Sequence, residues 1–191
     1  FQPDRYEDIT AIIALYRPGP LDLIPEFIQR KRGQYPLSTD IAALEPILST
    51  TYGVIVYQEQ VMAIANSVAG FSLSKADILR RAMGKKKPAE MRALRTQFVE
   101  GAVGLGTDRE AAEHLFQMIT KFAGYGFNKS HAAAYALLTY RTAYLKAHYP
   151  LAYMTALMTG DIGDHERLSL YAGECRERGV RLLPPDINRS E

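Results

Sequence analysis

Apolar residues along most of this chain recur three and four positions apart, as on one face of an α-helix, and Gly and Pro cut the pattern into segments. Asp4 is placed to cap a helix reaching about Tyr16. The Arg17-Pro-Gly-Pro20 loop ends it, because each proline disfavours helical geometry in the residue before it. A second helix is predicted from Asp22 to Arg32, with Gly33 as its terminator. Thr51 to Tyr57 carries the β-branched run Val54, Ile55 and Val56, a brief extended entry into a helix whose Val61, Ile64, Ala65 and Val68 keep helical spacing up to Gly70. Ser74 stands three residues before Asp77, in the manner of a capping box, and opens a helix running through Met83. Pro88 suits a first helical turn, after which Met91, Leu94, Phe98 and Ala102 trace one face as far as Gly104 and Gly106. Thr107 to Glu110 forms a capping box for a helix stopping at Gly124. Ser130 caps a long helix to about His148 in which Ala, Leu and Tyr occupy nearly every face, so burial on most sides is expected. Pro150 starts a helix to about Thr159, and Asp164 caps a last one ending at Gly179. The expectation is a mainly α fold of about eight helices with little or no sheet. Residues 1–159 form its core and 160–191 a C-terminal helix with a Pro-rich exit, Thr159 to Asp164 being the weakest join.

Composition narrows the class. The 191 residues are 47% hydrophobic and 23% charged with a formal net charge of +2, which excludes a disordered tail and a histone-like basic protein. The single cysteine, Cys175, excludes an intramolecular disulfide and a Cys-based zinc cluster, and points to a reducing, cytoplasmic setting. The uncharged stretch Ser130 to Tyr140 is too short to span a bilayer. The abrupt start at Phe1, with no signal-peptide pattern, reads as a piece of a longer protein.

Charge is concentrated between Lys75 and Arg95. Lys75, Arg80, Arg81, Lys85, Lys86, Lys87, Arg92 and Arg95 there face only Asp77 and Glu90. Adjacent Arg80 and Arg81 running into a Gly84-Lys-Lys-Lys87 turn suit phosphate oxygens of a polyphosphate or a nucleic-acid backbone. A solvated charge run fits the same composition. A second candidate is Gly124-Tyr-Gly-Phe-Asn-Lys-Ser-His131, where two glycines allow close backbone approach and the helix start that follows offers N–H donors to an anion. Tyr125 or Phe127 suits stacking, Lys129 suits phosphate and His131 suits a ribose; a purely structural Gly-aromatic turn is the alternative. Gln58-Glu-Gln60 at a helix start suits either a substrate or water. His114, His131, His148 and His165 fall at equal spacing but in dissimilar contexts without Cys companions, so no metal site is assigned to them. No carboxylates cluster as a two-metal phosphoryl-transfer centre requires.

Taken together, Leu15-Tyr-Arg-Pro-Gly-Pro20, Thr51-Tyr-Gly-Val-Ile-Val-Tyr-Gln-Glu-Gln-Val-Met62, Ala76-Asp-Ile-Leu-Arg-Arg-Ala-Met-Gly-Lys-Lys-Lys87 and Phe122-Ala-Gly-Tyr-Gly-Phe-Asn-Lys-Ser-His-Ala-Ala-Ala-Tyr135 resemble the fingers region of the C-family bacterial replicative DNA polymerases, the DNA polymerase III alpha subunits. The resemblance runs to Leu183-Pro-Pro-Asp-Ile-Asn188. It implies a helical fingers domain that closes on an incoming deoxynucleoside triphosphate, with Arg80 and Arg81 on the triphosphate and Tyr125, Lys129 and His131 lining the nucleotide pocket. Lys85, Lys86 and Lys87 are further phosphate or DNA contacts. It also implies catalytic aspartates and Mg2+ held in a palm domain outside this segment, so that the isolated piece is inactive. The implied partners are primer-template DNA, the other polymerase domains and replicase subunits. A self-sufficient helical nucleic-acid-binding module is the alternative.

Overall fold

The computed structural model describes residues 1–35, 41–85, 88–122, 125–184 and 186–188. Among these are ten α-helices: α1 Tyr6–Leu15, α2 Ile24–Lys31, α3 Glu45–Leu48, α4 Gln58–Ala69, α5 Leu73–Lys85, α6 Pro88–Gly104, α7 Arg109–Phe122, α8 Lys129–His148, α9 Pro150–Gly160 and α10 His165–Glu177. Three 3-10 turns, Pro20–Leu23, Ala42–Leu44 and Ser49–Thr51, complete the helical content. The mainly α class agrees with the sequence. The short α3 and its flanking 3-10 turns carry too few residues to show a period and had no sequence signal.

Several caps fall on neighbours of the expected residues. Thr107 donates its N–H to Ala102 O (2.9 Å) and so closes α6, leaving Asp108 Oδ2 to accept from Ala111 N at 3.1 Å and open α7. Ser72 rather than Ser74 accepts from Lys75 N (3.3 Å) at the head of α5, and Asn128 rather than Ser130 caps α8 through His131 N (2.8 Å). Asp4 does not cap α1; its own N–H goes to Asp8 Oδ2 at 3.2 Å. Asp164 caps α10 through Arg167 N at 3.1 Å, as predicted. Gly124, the expected stop of α7, lies outside the described residues.

The chain separates into two compact units, Phe1–Leu137 and Leu138–Glu191. The first contains two hydrophobic clusters. The larger gathers Leu44, Leu48, Val61, Ile64, Leu79, Phe98, Leu115 and Ile119 from α3 to α7, and the smaller gathers Leu15, Phe27, Tyr57 and Ala132 from α1, α2, the entry to α4 and α8. The extended run before α4 lies between them. Ile55 joins the larger cluster while Val54 and Val56 join the smaller, the alternation a strand imposes. Both faces are covered, so the run is apolar at every position rather than alternating.

Helix α6 crosses the end of α4 closely enough that a Cβ at Gly101 would stand 2.2 Å from Ala69 O. Gly101→Ala is therefore expected to destabilise the protein by about 1–3 kcal/mol through overpacking, against the gain of about 1 kcal/mol that Ala brings to an open helix site. Urea unfolding of the two forms reads the difference.

In the second unit, Met154 of α9 and Cys175 of α10 are buried, and Lys146 meets Glu174 at 2.8 Å. Helix α8 departs from expectation. Only Ala132 and Ala136, one turn apart, are buried, while Tyr135, Leu138, Tyr140, Tyr144 and Leu145 are exposed. An all-round apolar helix must be covered on every side to be buried, and among the described residues only Ala132 and Ala136 of this helix are buried, Ala132 within the smaller cluster.

Candidate functional site

The start of α4 organises the site. Gln58 N donates to Phe127 O (3.0 Å) and Phe127 N to Val56 O (3.3 Å), a parallel bridge joining the extended run to the Gly-aromatic loop. The Gln58 side chain donates from Nε2 to Gly126 O at 3.0 Å and accepts at Oε1 from Arg80 Nη1 at 3.3 Å. Glu59 accepts from Asn128 Nδ2 (2.9 Å) and from the backbone N of Lys129 (3.0 Å). Gln60 turns inward: its Oε1 accepts from the backbone N of Val56 and Tyr57, and its Nε2 donates to Thr51 Oγ1 at 2.7 Å. Three consecutive polar residues thus divide their work, two binding the loop and one holding the extended run. Burial, with the nearby Glu59 charge, raises the Tyr57 phenol far above its ordinary value, so Lys129 Nζ, 5.6 Å from that ring, faces a neutral aromatic.

The Arg17-Pro-Gly-Pro20 loop braces the other side. Arg17 is held by Nε on Ala14 O (2.9 Å), donates from Nη2 to Tyr125 O (2.8 Å), and sets its guanidinium 4.4 Å from the Phe127 ring centre. Gly19 has φ +105°, and a Cβ there would lie 2.4 Å from Tyr125 Cε1. The Tyr125 ring rests where any side chain would stand, which explains Gly between the two prolines. Phe127 and Tyr135 flank His131 with ring centres 5.5 and 4.6 Å away.

Across from the loop, Asp77 ties the paired arginines together. Its Oδ1 is 2.7 Å from Arg80 Nη2 and its Oδ2 2.6 Å from Arg81 Nη2. The hydrogen bond from Arg80, with the charges of both arginines, holds the Asp77 carboxyl below the ordinary carboxylate range. The two cations differ in freedom. Arg80 is 33% exposed and engages Asp77 and Gln58 through Nε, Nη1 and Nη2, whereas Arg81 is 59% exposed and meets Asp77 through Nη2. Elsewhere in the basic run, Arg95 pairs with Glu113 at 3.1 Å and Lys75 Nζ lies 4.1 Å from the Phe71 ring, so part of this charge serves the fold.

The structure therefore links Arg80 to the loop with Tyr125 that leads into the α8 turn carrying Lys129 and His131, with Gln58 as the bridge. Lys86, Lys87 and the Lys85 side chain lie outside the described residues. One expectation is corrected: the start of α8 does not offer a row of open donors, because Glu59 takes the N–H of Lys129 and Asn128 that of His131. An anion at this loop must be met largely by side chains. Sequence reasoning missed Arg17 and Asn128, and left Gln58 and Glu59 unresolved. The signal was their position inside ordered motifs, since each reaches a partner at least 68 residues away, beside the nearer contacts of Arg17 with Ala14, Gln58 with Arg80 and the local cap by Asn128.

Comparison with known proteins identifies the family. A family described as the bacterial DNA polymerase III alpha subunit finger domain matches residues 1–106. The chain is 51% identical over 191 residues to the DNA polymerase III subunit alpha of Campylobacter jejuni, covering 99% of this chain and 16% of that protein. It is 52% identical over 194 residues to the Thermus aquaticus subunit, covering 99% and 16% respectively. Against the Escherichia coli K12 subunit it is 51% identical over 194 residues, covering 98% and 17%. The chain spans about one sixth of the length of these relatives. The resemblance of its motifs, the helical fold and these matches agree that the chain belongs to the bacterial DNA polymerase III alpha subunit finger domain family.

Proposed function

We propose that this chain works within a longer DNA-directed DNA polymerase and binds the triphosphate of the incoming deoxynucleotide during template-directed synthesis. The observation that carries the reading is the Arg80–Gln58–Gly126 bridge, which sets the Arg80 guanidinium, tied through Asp77 to that of Arg81, beside a loop and helix start carrying an aromatic ring, a lysine and a histidine. Arg80 and Arg81 meet the phosphate oxygens and offset the charge that develops on the pyrophosphate leaving group. Tyr125, Lys129 and His131 line the nucleotide pocket, with His131 beside the sugar to disfavour a ribonucleotide. Lys85, Lys86 and Lys87 extend the contacts to phosphate or DNA. The partners are the deoxynucleoside triphosphate, primer-template DNA, the palm and other domains of the polymerase, and replicase subunits; the setting is cytoplasmic.

Magnesium is assigned to the palm rather than to this chain. No group of three or more His, Cys, Asp or Glu side chains among the described residues is placed to hold an ion. Asp8, Asp77 and Asp161 each already accept from cationic side chains. No helix of the described residues is long and apolar enough to cross a membrane.

Titration of the chain with a deoxynucleoside triphosphate and, separately, with short primer-template DNA, each at two salt concentrations, tests the proposal. Nucleotide binding that weakens with salt and is lost in Arg81→Ala is the expected result. Binding of DNA alone, steeply salt-dependent and indifferent to nucleotide, would instead mark a self-sufficient nucleic-acid-binding module.

A further inference from the structure

We infer that Gln58 is a positioning residue that keeps the triphosphate-binding Arg80 in register with the nucleotide-pocket loop, an inference that rests on the function proposed above. Arginine can only donate and a backbone carbonyl can only accept. Between Arg80 Nη1 and Gly126 O, only a side chain with an acceptor at one tip and a donor at the other satisfies both, and the Gln58 amide does so at 3.3 and 3.0 Å. The backbone of the same residue is anchored on the loop, through Gln58 N to Phe127 O at 3.0 Å. The amide therefore cannot turn toward Arg80 without keeping the loop beside it. A carboxylate at this position would still attract Arg80 but would face the Gly126 carbonyl with no proton to donate; a thioether would serve neither partner. Phosphate and sugar contacts come from different elements, α5 and the loop leading into the first turn of α8, and productive binding needs them at one fixed separation.

The test is steady-state incorporation by the complete polymerase, comparing Gln58→Met, Gln58→Glu, Arg80→Ala and the Gln58→Met/Arg80→Ala double variant. The expected result is a KM for the deoxynucleotide raised roughly tenfold by either Gln58 substitution, the size of one hydrogen bond to a charged group. The expected kcat falls by a smaller factor than KM rises, because Arg80 meets the ground-state phosphate oxygens as well as the leaving-group charge, and primer-template affinity is unchanged. In the Arg80→Ala background, Gln58→Met should add little, because the partner through which it acts is gone. If Arg80→Ala raises KM but both Gln58 variants leave it at the wild-type value, or if the two effects add in full, the positioning role is overturned. If Arg80→Ala itself leaves kcat/KM unchanged, the triphosphate assignment fails and this inference falls with it. Should Gln58→Met not fold, the near-isosteric Gln58→Glu decides by the same KM comparison.

Discussion

Lys31→Met is expected to lower the stability of the protein by about 3–5 kcal/mol, the usual consequence of stranding one charge of a buried pair. The Asp8 carboxylate is 0% exposed and receives Lys31 Nζ at 2.6 Å, Tyr52 Oη at 2.9 Å and Asp4 N at 3.2 Å. Lys31, 11% exposed, also reaches Asp4 at 3.2 Å and Gln2 O at 2.6 Å. Removing the ammonium leaves the carboxylate in the same dry position with two neutral donors. Burial alone would push the Asp8 carboxyl up, but the hydrogen bonds from Lys31, the Asp4 backbone and Tyr52 outweigh it and hold the group down to about 2. The sign of the pH dependence follows. A carboxyl whose folded value lies below its unfolded value contributes stability that is full above about pH 4 and is lost as the pH falls toward 2. In Lys31→Met that contribution is missing at neutral pH, so the gap between wild type and variant should narrow below pH 4. Denaturant unfolding at pH 7 and pH 3 reads both effects; equal stability of the two proteins at pH 7 would refute the assignment.

The second large effect is expected at Arg80. In the complete polymerase, Arg80→Ala should reduce kcat/KM for nucleotide incorporation by an amount equivalent to about 2–5 kcal/mol, by analogy with truncating one partner of a desolvated charge pair. Because a third of the side chain is exposed, the loss should fall toward the lower end. Arg80→Lys should recover only part of it. A single ammonium cannot present the several separate donors that Arg80 directs at Asp77 and Gln58 while still meeting a phosphate oxygen. Single-turnover incorporation at low nucleotide is the measurement, and near-normal incorporation by Arg80→Ala would exclude a triphosphate role for this residue.

The exposed side of α8 is rich in apolar groups. Tyr135, Leu138, Tyr140, Tyr144 and Leu145 stand outward along one helix, a density of apolar groups that water alone does not favour. The composition of this helix predicts burial on most sides, whereas among the described residues its burial is confined to Ala132 and Ala136.

Much of the fold could be read from the residues themselves because its signals are local. Helix class depends on three- and four-residue spacing, and helix ends on Pro, Gly and capping side chains within a few positions of one another. Where capping was misplaced, by one or two residues at Asp108, Ser72 and Asn128, neighbouring polar groups competed for the same backbone donors, and packing selected among them. The motif resemblance likewise identified the family, since ordered runs of residues survive as sequence. Tertiary structure alone decided which side chains meet. Gln58, Glu59 and Gln60 are three adjacent polar residues in the chain, yet one bridges Arg80 to Gly126, the next caps α8, and the third is buried beneath Thr51. Arg80 and Arg81 look equivalent in sequence, but one is held by Asp77 and Gln58 together while the other, paired with Asp77, is more than half exposed. Hydrophobic periodicity encodes which face of a helix turns inward; it carries no record of which distant polar group that face will bring within hydrogen-bonding distance, because that depends on how the helices pack.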